Sequence, residues 1–86
     1  MSLENLRNAI DAIDDEILML FEKRMNVVSQ IAAYKQANGI PVLDRGREEE
    51  KIRAVTGKVK PQLEAYAHIL FSILFELSRD YQSANV

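Results

Sequence analysis

The sequence predicts an all-α fold with three helices per chain, one very long, one short and one of medium length. Apolar residues recur at alternating steps of three and four from Leu3 to Tyr34 and again from Leu63 to Tyr81, the period of a helix face. Gly39 with Pro41 and Gly57 with Pro61 break the chain into three segments. No stretch alternates with the period of a strand, and no internal repeat, low-complexity run or linker is present. A single domain spanning residues 1–86 is expected.

The first helix is expected over about residues 3–38. Ser2 can cap it, Glu4 sits at the end of the dipole that favours negative charge, and nothing stops it before Gly39 and Pro41. Some 35 residues make a rod about 53 Å long, far beyond an ordinary globular helix. Its stripe comprises Leu3, Leu6, Ile10, Ile13, Ile17, Leu20, Val27, Ile31 and Tyr34, and Arg24 lies on it. A guanidinium on a contact face must be paired with an anion or it costs several kcal/mol.

Asn38-Gly39-Ile40-Pro41 reads as a turn, with Pro41 to Asp44 as a connecting loop. Asp44 is a good cap for a second helix over about 45–56, ended by Gly57. Pro61 suits the first turn of a third helix over about 61–83. That helix carries the stripe Leu63, Ala67, Leu70, Leu74, Leu77 and Tyr81.

Of the 86 residues 48% are hydrophobic, while a compact monomer of this size hides only roughly 60–65% of its unfolded surface. A second copy related by a two-fold axis is therefore expected. Net charge is −2, from 11 basic and 13 acidic residues mixed along the chain, so no basic stripe suited to nucleic acid is present. The absence of cysteine excludes disulfides and thiolate chemistry. No charged-then-apolar leader and no uninterrupted apolar run of membrane-spanning length are seen, so a soluble cytoplasmic protein is expected.

Several polar residues fall on or beside apolar faces. Lys35 lies roughly 20° around the first helix from Arg24 and about 16 Å further along, so both can converge on one small anion. Arg7 is about 25 Å from Arg24 on the same helix. It can reach that ligand only from a second copy packed antiparallel. In the second helix Glu48 shares a stripe with Ile52 and Val55, and Arg47 flanks it. In the third, Phe71, Phe75, Ser78 and Gln82 form a second stripe that begins aromatic and ends polar. Each of these residues also has a bland reading, as a snorkelling base, a solvated charge run or a fraying helix end. His68 has no histidine or cysteine partner, so no metal site is expected.

Taken in order, Leu6-Arg7, Ile13-Asp14, Glu22-Lys23-Arg24, Lys35, Pro41-Val42, Asp44-x-x-Arg47-Glu48 and Glu76-x-Ser78-x-x-x-Gln82 make the chain resemble the all-α chorismate mutases. The resemblance runs essentially end to end. It implies an intertwined antiparallel helical homodimer with two sites, each drawing on both chains, and Arg7 supplied in trans. It implies chorismate as substrate, rearranged to prephenate without a cofactor. By the same resemblance Arg24 and the partner's Arg7 grip the carboxylates, Arg47 completes the cationic wall, and Lys35 and Gln82 donate to the ether oxygen. Glu48, with backbone near Asp44, accepts from the ring hydroxyl, and Ser78 assists a carboxylate. Arg79 departs from the pattern, a long cation where relatives carry smaller apolar side chains. Two alternatives stay open: an isochorismate-pyruvate lyase on the same scaffold, and a noncatalytic helical dimerisation or regulatory module.

Overall fold

The computed structural model describes residues 2–84. The order is α1 (Leu3–Ala37), α2 (Arg45–Thr56), a 3₁₀ turn (Pro61–Leu63) and α3 (Glu64–Ala84). No strand occurs among the described residues. The all-α expectation of one very long, one short and one medium helix is met. The single change is at Pro61, where the chain makes a tight turn before continuing as α3.

The helix ends follow from local chemistry. Ser2 Oγ accepts from the Asn5 amide at 3.1 Å, capping α1. At the other end the Ile40 amide donates to the Lys35 carbonyl at 2.8 Å and the Gly39 amide to that of Gln36. This reciprocal pair satisfies the last carbonyls of the helix. It requires a left-handed residue between them, and Gly39 supplies it with φ +65°. Asp44 Oδ1 accepts from the Arg47 amide at 3.0 Å and caps α2 as its position predicts.

Helix α3 packs against both α1 and α2 and holds the three together. It reaches only the second half of α1. The covered face of α1 carries Val28 and Ala32, both buried, with Phe21, Arg24, Met25 and Lys35 partly covered beside them. Val27, Ile31 and Tyr34 of the expected stripe remain exposed. The reason is angular drift: a stripe stepped at three and four does not follow 3.6 residues per turn indefinitely. The face of Leu6 and Ile17 therefore continues into Phe21, Arg24, Val28 and Lys35.

The first half of α1 has no cover. Every residue from 2 to 20 is exposed, including Leu3, Leu6, Ile10, Ile13, Ile17, Leu18, Met19 and Leu20 at 47–63%. Around Ile17-Leu18-Met19-Leu20-Phe21 the helix is apolar on all sides. A second apolar face, with Tyr66, Ile69, Leu70, Ile73 and Leu77, is exposed along α3. The chain extends 54 Å in its longest direction and 15 Å in its shortest, with a radius of gyration of 16.0 Å. A compact chain of this length has about 12 Å.

Gly39 tests the link between turn and fold. No heavy atom lies within 4 Å of a Cβ built there, so the cost of Gly39→Ala is purely that of the left-handed backbone, about 1–2 kcal/mol. The expected result is a lower thermal midpoint by circular dichroism, compared with the wild type at equal protein concentration.

Candidate active site

A cavity of about 190 Å³ lies where α1, the Pro41 to Asp44 loop, α2 and α3 meet. Of the eight residues expected to form a site, seven line it: Arg24 and Lys35 from α1, Asp44 at the cap of α2, Arg47 and Glu48 from its first turn, and Ser78 and Gln82 from α3. The eighth, Arg7, stands on the uncovered half of α1 and is exposed. It does not reach the cavity of its own chain.

Arg24 is held by α3. Its Nη1 donates to Ser78 Oγ, and its guanidinium carbon sits 6.0 Å from the centre of the Phe75 ring, a cation–π distance. Phe75 is placed by an edge-on contact with Phe71, centroids 6.2 Å apart. Ser78 Oγ in turn donates to the Leu74 carbonyl at 2.7 Å. Among the described residues no carboxylate is within ion-pair distance of Arg24. The sequence reading requires an anionic partner, and the protein itself provides only a hydroxyl and a π face. Burial pulls this guanidinium below its ordinary pKa, as expected when a cation loses water without gaining an opposite charge.

Ser78 and Gln82 are the two buried polar residues among those described, each 6% exposed. The second stripe of α3 therefore turns inward and does not fray. Gln82 Oε1 is buried without a hydrogen-bond partner among the described residues. A buried amide oxygen left unpaired costs about 1–3 kcal/mol, so a hydrogen-bond donor is demanded at this point of the cavity wall.

Lys35 Nζ donates to the Val42 carbonyl at 2.9 Å, joining the end of α1 to the loop. Arg79 also faces the cavity. Its Nη1 donates to Glu48 Oε1 at 2.5 Å, and the Glu48 hydrogen bond pushes the Arg79 guanidinium above its ordinary value. Lys51 is a wall residue that the sequence reading missed. Its signal was present, one turn after Arg47 and Glu48 on the same face of α2. Val28, Ile31, Val42 and Phe75 supply the apolar walls.

Five cations and two carboxylates thus border one small cavity. One carboxylate caps a helix and the other is paired with Arg79. The described residues of this all-helical protein set an excess of positive charge around one small cavity. The chain belongs to the chorismate mutase type II family, a family of isomerases, whose match covers residues 6–83. It is 38% identical over 53 residues to the T-protein of Haemophilus influenzae (strain ATCC 51907 / DSM 11121 / KW20 / Rd). That stretch is 62% of this chain and 14% of the T-protein, so the chain corresponds to a small part of that relative. No solved structure matches significantly.

Arg24→Leu separates binding from folding. Because no carboxylate is left behind, the substitution should hold stability constant or raise it, by zero to about 2 kcal/mol in denaturant titration. The same variant should lose at least about a hundredfold in turnover of the anionic substrate.

Proposed function

We propose that the chain is a chorismate mutase that converts chorismate to prephenate at this cavity, working as a homodimer. The observation that carries the reading is the meeting of Arg24, Lys35, Arg47 and Gln82, whose buried Oε1 has no partner among the described residues, around one cavity in a chain of this family.

Chorismate is a dicarboxylate with an enolpyruvyl ether and a ring hydroxyl. The rearrangement breaks the ether C–O bond as a C–C bond forms across the same six-atom array, so it needs no nucleophile and no net proton transfer. It needs the two ends held close, and positive charge or donors where the breaking bond leaves electron density. Arg24 and Arg47 serve the carboxylates, because guanidinium forks match carboxylate geometry. Ser78, already hydrogen-bonded to Arg24, assists one of them.

Lys35 and Gln82 serve the ether oxygen. An amide rotated to present its nitrogen donates there, and the contact strengthens as the oxygen gains charge, which is differential binding of the transition state. Glu48 and the backbone near Asp44 accept from the ring hydroxyl.

The dimer follows from the uncovered half of α1. Burying its large apolar side chains gains about 1.5–3 kcal/mol each, a total comparable to the whole stability of a domain. Two copies of α1 packed antiparallel and crossing near Glu16 cover these side chains and bring Arg7 of each chain beside the Arg24 turn of its partner. Arg7 then completes the cationic wall in trans. No helix of the described residues is long and apolar enough to cross a membrane.

Two outcomes check this reading. Lys35→Ala should lose about a hundred- to a thousandfold in turnover, followed by chorismate depletion and prephenate appearance, while keeping its helical spectrum. Arg7→Ala should be similarly impaired. Mixing the two variants under exchange should restore about a quarter of wild-type activity, because half of random dimers carry one intact site. No recovery, or a monomer by light scattering, would defeat the trans role. Salicylate and pyruvate formed from isochorismate, without prephenate from chorismate, would assign the site to a lyase.

The second outcome concerns pH. Burial lowers the Arg24 value and Glu48 raises that of Arg79, yet guanidinium values start so far above neutrality that both stay charged. Gln82 does not titrate. Turnover should therefore be flat from mildly acidic to mildly alkaline pH, measured as kcat/KM.

A further inference from the structure

The pair between Arg79 and Glu48 crosses from α3 to the first turn of α2 at the cavity wall. It is the one side-chain ion pair among the described residues. The two side chains keep 32% and 23% of their surface in solvent, and a pair so exposed adds little to stability. Its effect is geometric. A glutamate has several rotatable bonds, and a contact through Oε1 fixes where Oε2 stands.

The guanidinium has only donors and the ionised carboxylate only acceptors, so the pair leaves Glu48 able to accept another donor. Asp44 is differently engaged, its Oδ1 holding the Arg47 amide. Each carboxylate thus keeps one oxygen open, and Glu48 is the one to which the proposed function assigns the ring hydroxyl. The base of Arg79 is itself held, because the neighbouring Ser78 is joined to both Arg24 and the Leu74 carbonyl.

We propose that Arg79 is a positioning residue that fixes the Glu48 carboxylate so that its second oxygen accepts the substrate's ring hydroxyl, and that it thereby sets the preference for a ring bearing that hydroxyl. This rests on the chorismate reading above. The hydroxyl takes no part in bond breaking, so its contact is made equally in the ground state and the transition state. Loss of such a contact appears in KM and spares kcat.

The test is steady-state kinetics on the full chain for wild type, Arg79→Ala, Arg79→Lys, Glu48→Gln and the Arg79→Ala/Glu48→Gln double variant. The inhibition constant of a chorismate analogue with hydrogen in place of the ring hydroxyl is measured alongside. Arg79→Ala should raise KM about five- to twentyfold with kcat within about twofold. Arg79→Lys should recover most of that loss. In the Glu48→Gln background, Arg79→Ala should add nothing, and the deoxy analogue should bind wild type and Arg79→Ala alike.

The proposal is overturned by an unchanged KM, by a fall in kcat alone, by a loss that persists in the Glu48→Gln background, or by equal weakening of the deoxy analogue. Should Arg79→Ala fail to fold, Arg79→Met keeps the apolar stem without the charge and carries the same expectations. Wild type active on chorismate but indifferent to Arg79 defeats the positioning role alone. Wild type inactive on chorismate defeats the parent reading and this one together.

Discussion

A half-covered guanidinium without a carboxylate organises this molecule. Arg24 gives up part of its hydration when α3 closes over α1, and receives in return only the Ser78 hydroxyl and the Phe75 ring. Neither neutralises a positive charge. Among the described residues that electrostatic demand is left unmet, and an anion in the cavity would meet it. The surrounding parts share that logic. Phe71 orients Phe75, Leu74 orients Ser78, and the capped start of α2 sets Arg47 and Glu48 opposite.

Much of this was legible in the sequence because the relevant signals are local. Asp44 as a cap, Gly39 as a left-handed stop and the breaks between helices follow from short-range chemistry, and the structure has each of them. That Arg24 and Lys35 line one cavity followed from 3.6 residues per turn. What was not legible depended on packing between distant segments. The stripe drawn through Val27, Ile31 and Tyr34 drifts off the face that α3 covers, and only the position of α3 reveals where coverage begins. The direction of Arg79 was open for the same reason, since its partner Glu48 is distant in sequence. Lys51 was hidden inside a charged run that looks like ordinary surface.

The shape of the chain carries its own argument. A rod whose first half buries nothing is an unfavourable end state for one polypeptide in water. Its apolar girdle near Leu18 and Met19 faces every direction, so one flanking helix cannot cover it. Association and site completion are thus one event in the proposed dimer, because the segment that needs cover is also the one that bears Arg7.

Lys35 illustrates what the loop after α1 contributes. Its carbonyl receives the Ile40 amide and its ammonium reaches the Val42 carbonyl, so one residue fastens the connector at both ends of its own structure. An ammonium has three protons. With one anchored on the chain, two remain for an incoming acceptor, and the long flexible stem is already immobilised before any encounter. The ordering entropy of that side chain is settled during folding, which leaves more of the contact energy available when a ligand arrives.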